Sequence, residues 1–113
     1  MRKVIAAFAA TAALVVAAPS SASVRLVRVT DPARRGTDAT LTARVSRSNV
    51  ICSIGVRYKS GWSRAKGLKP KRRPVGGRVS WTWRVGTNTT PGRWRIYVWC
   101  GSAGTLRTSF RVV

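Results

Sequence analysis

Beyond residue 23, apolar and polar residues alternate with a period of two through most of the chain, and helical spacing is sustained nowhere. The clearest run is 78–85, where Val79, Trp81, Trp83 and Val85 share one parity and Arg78, Ser80, Thr82 and Arg84 share the other. In 39–46, Leu41, Ala43 and Val45 oppose Thr40, Thr42 and Arg44 in the same way. A third strand is predicted over 50–59, with Val50, Cys52, Ile54, Val56 and Tyr58 on one face and Ser53, Gly55, Arg57 and Lys59 on the other. The penultimate strand, 93–100, turns Trp94, Ile96, Val98 and Cys100 inward, and the last carries Leu106, Thr108, Phe110 and Val112 on one face. A first strand over 24–30 has its alternation blurred at Leu26 and Val27.

The connections carry turn chemistry: Asp31-Pro32 and Arg34-Arg35-Gly36 after the first strand, and 86–92 closing on Pro91-Gly92. Asn88-Thr89-Thr90 has the form of a glycosylation acceptor, but Pro91 follows and it reads as part of that turn. The stretch 60–77 is irregular, rich in Gly, Pro, Lys and Arg, with a short edge strand expected at 68–71. About seven short alternating strands in one domain-sized segment predict an all-β fold, a single antiparallel sandwich of the immunoglobulin type.

The two cysteines fit that plan. Cys52 lies near the start of the third strand and Cys100 at the end of the penultimate one, both on the apolar parity. In such a sandwich these strands are antiparallel neighbours in one sheet, so start meets end, and a Cys52–Cys100 disulfide is expected. The alternatives are a metal site or a free nucleophile. With no histidine and only two side-chain carboxylates, the thiols lack partners for a zinc shell, so no metal and no cofactor is expected.

The run from Cys52 to Gly61 (CSIGVRYKSG), the run from Gly77 to Trp94 (GRVSWTWRVGTNTTPGRW) and the Cys100-Gly101 ending together resemble small secreted bacterial Ig-like domains. The resemblance covers most of the chain after the N-terminal segment and implies the fold. It implies no activity, since one fold hosts many functions. The arginine load on the strand faces departs from the pattern expected of a plain spacer domain.

The N-terminal segment differs in kind. Met1-Arg2-Lys3 is followed by an apolar run over 4–18 broken only by Thr11, then by Pro19-Ser20-Ser21-Ala22-Ser23. A basic start, an apolar middle and small residues at a cut site are the parts of a secretory signal, and the run falls short of the roughly 20 residues a membrane-spanning helix needs. Residues 1–22 are therefore read as a cleavable signal peptide and 23–113 as the Ig-like domain, secreted or held at the cell surface, with no transmembrane segment in the mature form. An oxidising destination agrees with a paired disulfide.

The 22 Lys and Arg residues face only Asp31 and Asp38, for a formal charge of +20. Such a chain repels itself and attracts polyanions. With 44% hydrophobic residues and five tryptophans it still has the material for a core. Catalysis is not expected: Asp31 and Asp38 sit in or beside one turn, and without histidine no Ser-His or Cys-His pair exists. Lysine chemistry at Lys59 or Lys66 remains formally open, with nothing to place either in a buried setting.

Two basic constellations are the candidate sites. Lys66, Lys69, Lys71, Arg72 and Arg73 crowd one loop between and beside Pro70 and Pro74. If the third, penultimate and last strands share a sheet, its outer face collects Arg57, Lys59, Arg93, Arg95, Arg107 and Arg111 with the aromatics Tyr97 and Trp99. Guanidiniums among exposed rings suit contacts to phosphate or carboxylate together with stacking on sugars or bases. The plainer reading has the arginines masking the rings and the loop serving solubility. Trp81, Trp83 and Trp94 face the core, while Trp62 is either a cap over it or a contact.

The expected function is a non-catalytic, monomeric adhesion module for an anionic cell-envelope or matrix polymer. Its rivals are an exported nucleic-acid binder and a structural accessory to another exported protein. A membrane-active role is disfavoured because the charge lies on strands and not on an amphipathic helix. The secreted material should begin at Ser23 or Val24. Intact-mass measurement of the exported protein checks this, and retention of residues 1–22 would contradict it.

Overall fold

The computed structural model describes residues 22–113. The expected signal peptide lies outside the described residues apart from Ala22. Seven strands form: β1 (Val24–Val29), β2 (Asp38–Val45), β3 (Ser53–Tyr58), β4 (Gly61–Trp62), β5 (Arg78–Arg84), β6 (Gly92–Trp99) and β7 (Thr105–Val112), with short 3-10 turns at Lys66–Leu68 and Gly101–Ala103. They make two antiparallel sheets, ordered β1-β2-β5 and β4-β3-β6-β7. This is the all-β Ig-like sandwich the alternation predicts, with the fourth strand joined to the sheet of the third.

The period-two faces close on each other. Leu41, Val56, Trp81, Trp83, Val85, Ile96, Val98 and Phe110 have at most 1% of their surface exposed. Burying such aromatic and branched side chains is the main favourable term for a domain of this size. Each core indole finds an acceptor for its N–H: Trp81 Nε1 donates to the Pro70 carbonyl at 2.9 Å and Trp83 Nε1 to the Tyr58 hydroxyl at 3.3 Å. Trp83 packs edge-on to Phe110, 5.7 Å between ring centroids. Trp94 is only half buried, packing at the core's margin against Tyr58 and donating to the Thr90 carbonyl.

The blurred alternation in β1 has a structural cause. Leu26 pairs with Ala43 and Arg28 with Thr42, which leaves Val27 as an extra residue in a β-bulge. The chain then leaves β2's sheet. Ala33 bridges Val112 in parallel, with Ala33 N–H donating to Arg111 O at 2.7 Å and Val113 N–H to Ala33 O at 2.9 Å. One corner of the sandwich is thereby tied across both sheets.

Two expectations change, and of the two roles open to Trp62 one falls away. The stretch 68–71 is not an edge strand: the chain coils at Lys66–Leu68, buries Leu68, and pairs its backbone where Arg72 and Cys52, the residue before β3, exchange hydrogen bonds of 2.9 and 2.7 Å. Pro70 has no N–H to give a ladder. Lys59 is not on a strand face, because Tyr58 pairs with Gly61 and leaves Lys59-Ser60 as a two-residue hairpin turn. Trp62 is not a cap over the core but lies on β4 opposite Arg57.

Cys52 and Cys100 are disulfide-bonded, their Cα atoms 4.1 Å apart. Ser53 pairs with Trp99, so the bond continues the β3–β6 ladder by one pair. It closes a sequence separation of 48 residues, which constrains the unfolded chain by about 4 kcal/mol on the loop-entropy estimate. Replacing both cysteines by alanine should therefore lower unfolding free energy by about 2–5 kcal/mol. Chemical denaturation of the double variant against the oxidised parent measures it, and native thiol labelling of the parent should detect no free sulfhydryl.

Candidate polyanion interface

The β4-β3-β6-β7 sheet turns one face to the core, so the opposite parity of each strand is presented outward. The register then decides which side chains meet. Arg57 of β3 lies opposite Arg95 of β6; Arg93 opposes Arg111 of β7; Tyr97 opposes Arg107. All five arginines are exposed. With strands about 4.8 Å apart and about 3.4 Å of rise per residue, they occupy a patch of roughly 10 by 14 Å. Arginines directly opposite one another are electrostatically unfavourable in the free protein, so the patch stands ready for an external anion.

One carboxylate reaches it. Asp31 accepts the Arg111 backbone N–H through Oδ1 at 3.0 Å, and its Oδ2 lies 3.9 Å from Arg93 Nη1. Arg93 also donates to Ser109 Oγ at 3.1 Å. Asp38 is occupied elsewhere, paired with Arg84 at 2.8 Å. Among the described residues, Arg57, Arg95, Arg107 and Arg111 have no carboxylate within ion-pair range.

Beside the arginines stands an aromatic cluster. Tyr97 and Trp99 have near-parallel rings 5.7 Å apart, and Trp62 meets them at 5.5 and 6.1 Å. The Arg57 guanidinium carbon sits 5.2 Å from the centre of the Trp62 ring, within cation–π range. Trp62 and Trp99 remain 49% and 39% exposed, so the cluster stays open to a ligand even though its rings shield one another. Gly55 makes room for it. A Cβ there would approach Trp99 Cη2 to 2.8 Å and Trp62 Cζ3 to 3.0 Å, so the two indoles lean into the space over β3 that any other residue would fill. Tyr58, on the core side of the same strand, has its hydroxyl pushed above the ordinary value of 10.0 by burial, the Trp83 hydrogen bond opposing the shift.

The structure thus brings together Arg57, Arg93, Arg95, Arg107, Arg111, Tyr97 and Trp99, and adds Trp62. Lys59 leaves the face through the hairpin turn. The cations of the 66–73 loop sit elsewhere. Arg72 pairs with Cys52 along the outer edge of β3, and Val75 bridges Arg78, so the loop passes from one sheet's edge to the other's. It is pinned by buried Leu68 and Pro74, and at Gly67, where a Cβ would collide with the Thr82 carbonyl of β5. Its Lys66, Lys69, Lys71, Arg72 and Arg73 are all exposed.

No family model matches the chain, and no curated protein matches it closely enough to count as a relative. Among solved structures, 13 chains match. One is chitinase ChiW from Paenibacillus sp. str. FPU-7, a bacterial cell-surface-expressed multi-modular enzyme: TM-score 0.53, 14% identity, 85% of this chain and 9% of that chain covered. Another is titin domains Z1Z2 in complex with telethonin, with TM-score 0.48, 16% identity and coverage of 84% and 49%. A third is a conjugate transposon protein from Bacteroides vulgatus, with TM-score 0.48, 6% identity and coverage of 90% and 91%. This chain spans under a tenth of the chitinase's length and about half of the titin chain's. The chitinase likeness is one of fold, in keeping with the sandwich described above. Among the described residues no helix is long and apolar enough to cross a membrane.

Gly55→Ala should displace Trp62 and Trp99 and leave the fold intact, because the atoms its Cβ meets are side-chain ring atoms on an outer face. Near-ultraviolet circular dichroism should lose the signal of the coupled rings while the far-ultraviolet spectrum stays that of the parent.

Proposed function

We propose that the exported domain is a non-catalytic binding module that holds an anionic glycan of the cell envelope or matrix on the outer face of β4-β3-β6-β7. The observation that carries the reading is the adjacency, on one face, of five exposed arginines and a three-ring aromatic cluster. Guanidiniums hold carboxylate, sulfate or phosphate groups by paired N–H donation. Aromatic rings supply apolar faces on which sugar rings lie. The two aspartates serve the fold, Asp38 pairing Arg84 and Asp31 receiving the Arg111 amide, which leaves no carboxylate pair across a cleft for glycoside hydrolysis. The signal-like N-terminus and the oxidised cysteine pair support an extracellular or surface location.

A second reading draws on the same cluster. Rings between arginines also suit single-stranded nucleic acid, whose bases stack while its phosphates pair. Competition separates the two: a glycan module is displaced from immobilised heparin by soluble heparin far better than by an oligonucleotide of equal charge. A structural accessory to another exported protein would bind neither strongly at physiological salt.

Binding to immobilised heparin should weaken steeply as salt rises, since bound counterions are released on association. The Arg93→Ser, Arg95→Ser, Arg107→Ser variant should fold like the parent and show a log–log salt slope shallower by about two to three, one for each lost contact. An unchanged slope would reduce the face to a solubility surface.

A further inference from the structure

The three-stranded sheet also carries a basic row, one that the parity of any single strand does not reveal. Arg25 of β1 lies directly opposite Arg44 of β2, and Arg44 directly opposite Arg78 of β5. All three are exposed, on the face turned away from the core. Three guanidiniums therefore rise from adjacent strands within about 10 Å, and among the described residues no carboxylate is paired to any of them. The only acid on this face is Asp38, at the far end of β2, six residues or about 20 Å from Arg44, and it is bonded to Arg84. Between the two ends lie hydroxyls that satisfy one another, Thr40 to Thr82 at 2.8 Å and Thr42 to Ser80 at 3.1 Å, with exposed Arg28 opposite Thr42 on the edge strand. One end of the sheet is neutralised and the other is left cationic.

The 66–73 loop extends that cationic end. After Arg72 leaves the edge of β3, Val75 bridges Arg78, and a shallow hollow is lined jointly by Lys71, Arg72, Arg73, Arg78 and Ser80. The loop cations thus adjoin the arginine row. We infer that Arg25, Arg44 and Arg78, with Lys71, Arg72 and Arg73, form a second polyanion site on the sheet opposite the aromatic face, so that one molecule bridges two anionic chains.

The inference rests on the proposed reading of the first face, but its observations are separate. The second site has guanidiniums, ammonium and hydroxyls and no exposed ring, so it takes the charged groups of a polymer without regard to sugar or base. The two sites lie on opposite faces of the sandwich, a geometry in which occupation of one leaves the other open. Two sites on a rigid body join separate chains into assemblies, and removal of either site leaves capture without assembly.

The test uses the oxidised protein from residue 23 onward, with long-chain heparin as the probe, at low ionic strength. Dynamic light scattering reads assembly, and retention on a heparin hexasaccharide column reads capture. The parent should do both. The Arg25→Ser, Arg44→Ser, Arg78→Ser variant should still be captured through the aromatic face, with assembly scattering reduced about tenfold. Its thermal midpoint at low salt should equal or exceed the parent's, because a row of opposed like charges has been removed. A variant of equal charge, Arg34→Ser, Arg35→Ser, Lys59→Ser, whose exposed cations lie in the turns after β1 and β3, should assemble like the parent. Assembly by the row variant at the parent's level, or equal loss in the charge-matched variant, overturns the bridging site. In the first case, loss of capture in the Arg93→Ser, Arg95→Ser, Arg107→Ser variant would leave the first-face reading standing. Capture and assembly unaffected in that variant would instead sink the first-face reading, and bridging with it.

Discussion

The functional face depends on the β3–β6 register, and the Cys52–Cys100 bond holds that register covalently. In a strand the side-chain period is two, so a slip of one residue would send Arg57, Arg95 and Tyr97 into the core and Val56, Ile96 and Val98 into water. The bond continues the ladder directly beyond Ser53 and Trp99. It also stands next to the point where Arg72 clips the basic loop to Cys52. Strand pairing, aromatic cluster and loop are therefore referred to one covalent anchor, placed where an unpaired strand end would otherwise fray.

Charge sets the opposing condition. With 22 basic residues and two acidic ones, the chain cannot neutralise itself, and the repulsion favours expansion. The fold meets this with a core built around two nearly fully buried tryptophans and with a cross-link. The two carboxylates are spent at fold junctions. Asp38 opens β2 against Arg84, and Asp31 receives the amide of Arg111 where the chain crosses between sheets. Asp31 reaches only Arg93 of the four-stranded face and Asp38 only Arg84 at the far end of β2, so among the described residues the other arginines of both rows have no carboxylate partner.

Much of this was legible in the sequence because alternation reports a strand's two faces without knowledge of its partners. The core tryptophans of β5, the disulfide and the outward arginines of β6 and β7 all follow from parity, and even the doubled apolar pair Leu26-Val27 marks the bulge in β1. What parity lacks is register between strands distant in the chain. The row Arg25, Arg44, Arg78 unites three strands whose outward arginines, Arg28 and Arg84 among them, carry no mark of which will be neighbours. The placement of Trp62 stayed open for another reason: a two-residue strand has no periodicity to read, and its position over Gly55 follows from the Lys59-Ser60 hairpin. The anchoring of the 66–73 loop has no such signal, because its anchors, Leu68 and the Pro70 carbonyl, are single groups among charges.

On the proposed reading, the chemical difference between the faces gives them different tasks. Ionic contacts lose strength together as salt rises, because each releases counterions. Stacking against Trp62, Tyr97 and Trp99 releases none, so the four-stranded face retains a salt-insensitive part of its affinity. The three-stranded face holds its ligand by guanidiniums, ammonium and hydroxyls, with aliphatic Val75 but no exposed ring beside them among the described residues, and its hold fades as ionic strength climbs. A sandwich so built stays on its polymer through the aromatic face under conditions that loosen the other. The number of chains it joins is then governed by ionic strength, while its attachment to any one of them is governed by the rings that Gly55 makes room for.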